Sequence, residues 1–438
     1  MTETSNTFIE LHIEELGPIH DSRIMLKPFM VFSGESGTGK SYTALLVHYL
    51  YKILCEMEVA EFFKDLNASF DEQKAQLPDE GGVLLEFTLN QFEEWLNEKA
   101  VRYVADMLGN YTLKGRIHVH FEGPKANYKF VYQKDVAEMN GEMMYFDTVS
   151  LNDLPPLRLP YRSSEWGNIP YHLLFNIYLK SFYQIHQRNT LLLPPSRGGL
   201  VCLTDTGRGN FQISQGGMYN EFISGLSNLK SATPLKDENA IGEYQILSQS
   251  LIKGKINIKD NDLYYEQAFG EIPITAGAAS VKELAPFALM LQKGLVSDYS
   301  VMFEEPETNL HPELQIKVAD TLAYLLQQGC RFQITTHSDY FLRRINDLIR
   351  LDILQHKLSK KEYQRLCESH HYHPELTIAP QLIGAYYFKR ISDTEVKIIV
   401  QEAGNGIPFD TFQSVLNHQL KDSSYIYDKM CELDGATD

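Results

Sequence analysis

Residues 29–54 read FMVFSGESGTGKSYTALLVHYLYKIL, and within them Gly34-Glu35-Ser36-Gly37-Thr38-Gly39-Lys40-Ser41 satisfies G-x-x-x-x-G-K-[ST]. Phe29–Phe32 is a short apolar strand, and from Tyr42 to Leu54 apolar residues recur at helical spacing. The order is therefore strand, glycine loop, helix, the context that this motif requires. Glycines let successive backbone N–H groups turn toward one centre, and the following helix adds its positive end. Lys40 supplies a charge for the β and γ phosphates of a nucleotide, and the Ser41 hydroxyl is placed to ligate Mg²⁺. The bland alternative, a glycine-rich turn with an incidental lysine, explains neither flank.

On the N-terminal side, residues 8–26 alternate apolar and polar in two runs broken at Gly17-Pro18, which predicts a half-buried hairpin. Beyond Leu54 the chain is acidic and helix-prone to about Gln76. A strand is predicted around Val83–Phe87, a helix over Phe92–Met107, and further strands over Ile117–Tyr132. Tyr171–Gln187 has helical spacing, Leu191–Leu193 is a short strand, and 206–217 is polar and glycine-rich. Helices are expected over Met218–Leu229 and Ile241–Lys253. From Val281 the pattern becomes helix, strand (Tyr299–Phe303), helix (Leu314–Gln328), strand (Arg331–Thr335), helix (Tyr340–Leu348). That alternation belongs to a mainly parallel sheet.

A phosphate loop leaves kinases, GTPases and helicases open, and a second group of residues narrows the choice. Val301-Met302-Phe303-Glu304-Glu305 sets two adjacent carboxylates at the end of an apolar strand. One of them can hold a metal's water shell and the next can polarise an attacking water. A third element, Ile334-Thr335-Thr336-His337-Ser338, brings out His337 after another apolar strand. There a neutral ring can reach the γ-phosphate. Taken alone, such a histidine is as readily a solvated or locally bonded group.

The chain has 438 residues, 43% hydrophobic and 22% charged, with 40 basic against 57 acidic residues and a net charge of −17. These values fit a folded protein and exclude disordered, collagen-like and disulfide-scaffold classes. The acidic balance argues against a surface made for nonspecific nucleic-acid binding. Five scattered cysteines without C-x-x-C spacing read as reduced thiols. Cys367 lies near His370, His371 and His373 but lacks the spacing of a structural zinc site. MTETSNTFIE has no signal-peptide pattern and no apolar run reaches bilayer length, so a cytoplasmic location without a membrane association is expected.

Read in order, ELGPIHDSRIML with GESGTGKS, then LLLPPSRGG, AASVKELAPFALML, FEEPETNLHP and ITTHSDYFL resemble the ABC-type ATPase heads of the RecF, SMC and OLD-like group, commonly described as AAA-family ATPases. The likeness continues into GAYYFKR and EAGNGIPFDTF, while residues 56–165 carry no motif of that group. The resemblance implies an α/β P-loop ABC-ATPase head with a mainly parallel central sheet, an N-terminal antiparallel β element and a helical, inserted lobe. Its expected division is an N-terminal ATPase lobe over 1–55, an inserted mixed segment over 56–190 and a helical lobe over 191–279. A C-terminal ATPase lobe over 280–400 and an extension over 401–438 complete it.

In site terms the resemblance implies that Gly34, Ser36, Gly37, Thr38, Gly39, Lys40 and Ser41 bind ATP, and that Ser41 and Glu304 hold Mg²⁺. Glu305 then stands as catalytic base and His337 as switch histidine, while Ser280, in a signature segment 279–283, touches the γ-phosphate held by a second subunit. Glu304 replaces the usual aspartate, the signature lacks paired glycines, and Asp339 stands where proline often follows. Gln91 is a candidate for the metal-sensing glutamine. Arg197 occupies a Pro-x-x-Arg position, where a solvated side chain fits as well.

A signature that reaches a nucleotide bound elsewhere implies a homodimer, or a higher oligomer, with ATP between heads and slow turnover. Its expected role is a regulatory ATPase of prokaryotic antiviral defence, of the OLD-like, AriA or PtuA class, controlling a separate effector nuclease encoded nearby. The alternative is a RecF/SMC-like clamp on DNA, using Arg343, Arg344 and Arg350 or Lys357, Lys360 and Lys361.

Overall fold

The computed structural model describes residues 7–123, 125–139, 142–160, 164–204, 217–235, 238–408 and 410–434; the polar stretch 206–217 lies outside them except for Gly217. Strands β1 (Phe8–Leu16) and β2 (Ile19–Met25) form the hairpin that the alternation predicts, turning at Gly17 with φ +59°. A side chain there would also meet Tyr42, since an added Cβ falls 2.6 Å from its ring. Strand β3 (Phe29–Gly34) is buried along its whole length and runs through the glycine loop into α1 (Lys40–Cys55).

The helix-prone stretch after α1 is two short helices, α2 (Ala60–Asp65) and α3 (Phe70–Lys74), separated where Asn67 takes φ +51°. Then come β4 (Gly81–Thr88), α4 (Leu89–Leu108), β5 (Gly115–Glu122), β6 (Asn127–Met139), β7 (Glu142–Leu151), β8 (Leu157–Leu159) and α5 (Ile169–Phe182). Strands β4, β6, β7 and β8 make a separate antiparallel sheet, but β5 leaves it and pairs with β1 at the rim of the main sheet. Helix α5 stops short of Gln187 because the chain turns left-handed at Gln184, with φ +52°.

Strand β9 (Asn189–Leu193) is followed by α6 (Arg197–Thr204), α7 (Gly217–Ser231) and α8 (Glu238–Ile252). A three-stranded sheet then appears that the sequence reading missed: β10 (Lys255–Lys259), β11 (Asp262–Gln267) and β12 (Gly270–Pro273). The signal was present: Lys255-Ile256-Asn257-Ile258-Lys259 alternates polar and apolar, and the turn that follows is left-handed at Asp260 (φ +51°) and Asn261 (φ +69°). The C-terminal part is α9 (Ala279–Gln292), β13 (Tyr299–Glu304), α10 (Pro312–Gln327), β14 (Arg331–Thr336) and α11 (Asp339–Lys357). It ends with α12 (Lys360–His370), β15 (Ile383–Arg390), β16 (Val396–Gln401) and α13 (Asp410–Asp434). Helix α11 outruns the expected Leu348 because apolar residues continue inward at Ile349 and Leu351.

Among the described residues the main sheet has nine strands, in the order β5-β1-β2-β16-β15-β3-β14-β13-β9. Pairs β15–β3, β3–β14, β14–β13 and β13–β9 are parallel, and β1–β2, β1–β5 and β15–β16 are antiparallel. The fold is thus α/β, with a mainly parallel sheet and an antiparallel N-terminal element, the class expected from the sequence. One hydrophobic core runs without interruption from this sheet into the aromatic cluster around Phe63, Phe92 and Phe175. What matters for function is register: Ser33 lies opposite Thr336 and Glu304 opposite Thr335, so β3, β14 and β13 end side by side. Ligands of open α/β sheets gather at such strand ends.

Candidate functional site

The loop between β3 and α1 is shaped by three left-handed glycines, with φ of +133° at Gly34, +72° at Gly37 and +91° at Gly39. Two also lack room for a side chain: an added Cβ would lie 2.6 Å from the Phe388 carbonyl oxygen at Gly34 and 2.8 Å from Ile19 Cδ1 at Gly39. The Thr38 hydroxyl donates to the Glu35 carbonyl (2.7 Å) and closes the turn. Lys40, only 6% exposed, folds back inside the loop and donates to the carbonyls of Gly34 (3.1 Å) and Glu35 (2.6 Å). Burial lowers its pKa to about 8, against the opposing pull of Glu305, Glu304, Glu307 and Glu35.

Around this loop lies a cleft of about 270 Å³, lined by Ser36 to Tyr42 together with Pro18, Glu305, Thr335 and His337. Glu304, 2% exposed, sits beneath it, and burial raises its carboxyl to about 7, offset in part by a hydrogen bond from Ser41. A hydroxyl and a carboxylate beside a phosphate loop are the oxygen donors that Mg²⁺ takes, with phosphate and water completing its shell. The residues fit that ion, because a dication would supply the positive charge that burial denies Glu304.

Glu305 is held in a strained backbone, φ +44°, by contacts on both sides. Its N–H donates to the Thr335 carbonyl (3.0 Å), and the Thr308 hydroxyl donates to its Oε2 (3.1 Å). The next carboxylate, Glu307, is a site residue that the sequence reading missed. Its Oε1 accepts from the Thr336 hydroxyl (2.9 Å) and the His337 N–H (2.6 Å), and its buried Oε2 has no hydrogen-bond partner. Burial raises its pKa. The signal available was its spacing, two residues after Glu305 across Pro306. The His337 ring is partly buried at the cleft, and burial, followed by the charge of Lys40, holds its pKa below the usual imidazole range.

Arg197 differs from the solvated side chain that the sequence allowed: it is completely buried. Its Nε donates to the Glu283 carbonyl (2.9 Å) and its Nη1 to the carbonyls of Pro194 (3.1 Å) and Glu304 (2.9 Å), while Nη2 reaches the Glu305 carbonyl at 3.4 Å. The guanidinium lies 4.6 Å from the Phe303 ring centroid, and its Nε is 3.6 Å from the Glu283 carboxylate. Glu283 also accepts from Asn309 Nδ2 (3.1 Å). One buried cation thus joins α9 to the end of β13.

Gln91 is a correction. It occupies the capping box of α4, where its Oε1 accepts from the Thr88 N–H (2.8 Å) and its N–H donates to the Thr88 hydroxyl (3.2 Å). It is not among the residues lining the cleft. Ser280 stands in the first turn of α9, partly exposed and likewise outside the cleft. The end of α9 where it sits has no side-chain cap. Arg390, at the end of β15, donates to the Ser36 carbonyl (3.4 Å) and lies 3.6 Å from the Glu35 carboxylate. Among the described residues no helix is long and apolar enough to cross a membrane, and no group of three or more His, Cys, Asp or Glu is placed to hold a metal, the Cys367 region included.

Residues 284–342, which carry most of α9, β13, β14 and His337, match the family described as AAA ATPase domain. No curated protein matches the chain. Among solved structures it is similar to an Smc head bound to the C-winged helix domain of ScpA (9% identity, TM-score 0.37, 90% of this chain and 97% of that one). It is also similar to the SMC head domain from Thermotoga maritima (10%, 0.33, 90% and 99%). A third is the Smc head domain with an extended coiled coil bound to the C-terminal domain of ScpA, derived from Pyrococcus furiosus (10%, 0.36, 94% and 99%). The fold stated above rests on the strand order and loop geometry of this chain alone.

Proposed function

We propose that the chain is an ABC-type ATPase, cleaving ATP to ADP and phosphate, and that it works as an ATP-dependent dimerising switch. The observation that carries this reading is the meeting of Lys40, Glu305 and His337 at one cleft, at the ends of three neighbouring strands, with Ser41 bonded to Glu304 below. In this reading Lys40 leaves the two loop carbonyls to meet the β and γ phosphates. Glu305 accepts the proton of the attacking water, and neutral His337 hydrogen-bonds the γ-phosphate. Mg²⁺, when bound, neutralises developing phosphate charge. Ser280 and the uncapped end of α9 would complete the site of a second copy, since N–H groups at a helix start are free to meet an anion.

The expected behaviour of Glu305→Gln is retained ATP affinity, turnover reduced about 100-fold or more, and accumulation of an ATP-bound dimer. Unchanged turnover would reassign the base. For the biological role we favour control of a separate nuclease in antiviral defence over a DNA clamp. The resemblance supports it, and so does charge pairing on α11: Arg343 faces Asp339 (2.7 Å), Arg344 faces Asp320 (2.5 Å) and Arg350 faces Asp347 (3.8 Å). Co-purification with a neighbouring nuclease, and lost phage protection in Lys40→Ala, test that role; salt-sensitive binding to random duplex DNA would favour the clamp.

A further inference from the structure

Helix α13 has 25 residues, about 37 Å of helix, yet every side chain from Asn417 to Cys431 is exposed. Leu420, Tyr425, Ile426, Tyr427 and Met430 are each between 57% and 68% exposed. Helices in water draw most of their stability from packing an apolar face, so a helix of this composition calls for a partner. Ser423, Ile426 and Met430 recur at three and four and form a seam, with Leu420 and Tyr427 along one flank. On the other flank, each one position before a seam residue, stand Asp422 and Lys429.

We propose that α13 pairs with α13 of a second copy of this chain, antiparallel and without nucleotide. The charges select the partner, and the place of Asp422 selects the direction. A two-fold antiparallel seam sets Asp422 of each copy beside Lys429 of the other, twice over, whereas a parallel seam sets Lys429 beside position 434, an aspartate, but leaves Asp422 beside Tyr427. Contacts within the helix keep both groups on that flank: His418 lies 3.5 Å from Asp422, and Lys429 lies over the Tyr425 ring at 6.0 Å. This contact is separate from the proposed ATP-dependent closure, and it would hold two heads together while their clefts are empty.

The test is the mass of the full chain by light scattering and sedimentation, with EDTA and no nucleotide. The expected result is a dimer of 50.2 kDa subunits. Lys40→Ala should dimerise equally well, which separates this contact from any driven by ATP. Ile426→Asp with Met430→Asp should give monomer with an unchanged melting profile for the rest of the chain. Asp422→Lys and Lys429→Asp should each weaken the dimer about ten-fold, and together restore it. A monomeric wild-type chain, a dimer indifferent to the paired aspartates, or single charge changes that fail to compensate one another would overturn the proposal.

Discussion

The cleft at the glycine loop and the aromatic lobe built on Phe175 solve opposite problems within one continuous core. In the lobe, Phe175 sits at centroid distances of 5.0 Å from Phe92 and Tyr128, 5.2 Å from Phe87 and 5.9 Å from Phe63, mostly edge to face. Such packing stabilises chiefly through the apolar area it buries. At the cleft, Lys40, Glu304, Glu307, Arg197 and Glu283 are withdrawn from water, and Glu305 carries backbone strain. The lobe gains stability from what it buries, and the cleft gives some up to hold charges out of water, which in the proposed reading serves a phosphate.

The largest effect should come from the stable side. Phe175→Ala is expected to cost about 4 kcal/mol, read as a lower denaturant midpoint. Next is Arg197→Ala, which removes the cation 3.6 Å from the Glu283 carboxylate and the donor to the carbonyls of Glu283, Pro194 and Glu304. It should lose about 3 kcal/mol and lower turnover while the KM for ATP changes little. Arg197→Lys should recover only part, because one ammonium cannot span four carbonyls.

Titration sharpens the contrast further. Glu304, raised from 4.5 to about 7, keeps its proton in the folded chain where the unfolded chain has lost it. Apo stability should therefore fall as pH rises from 4.5 through 7, by up to about 3 kcal/mol. Lys40, lowered from 10.5 to about 8, has the reverse slope, with stability rising from pH 8 toward 10.5. Urea denaturation at successive pH values should show a minimum between 7 and 8, and Glu304→Gln should flatten its acid limb. The smallest effect is expected for Gln91→Ala, which breaks a capping box for about 1 kcal/mol of stability and leaves ATP turnover unchanged.

Much of the cleft was legible because its parts are contiguous. The glycine loop, the Glu304-Glu305 pair and His337 each follow an apolar strand, and register in a parallel sheet then brings the strand ends together. What was hidden depends on tertiary pairing. Nothing in LLLPPSRGG says that the Arg197 guanidinium meets carbonyls 86 and 107 residues away. Gln91 misled because the same side chain that could face a metal also suits a position three residues after Thr88. Strand β10 was legible in the alternation Lys255-Ile256-Asn257-Ile258-Lys259 and was missed, whereas β11 sets Tyr264 beside Tyr265 and breaks the period.

The path of β5 makes the lobe inseparable from the head that carries it. Excising residues 56–190 as though they were a detachable module would strip the outermost strand and bare the hydrogen-bonding edge of β1 over nine residues. An uncovered edge of that length is a template for sheet-to-sheet aggregation, so a trimmed chain should precipitate rather than yield a minimal ATPase.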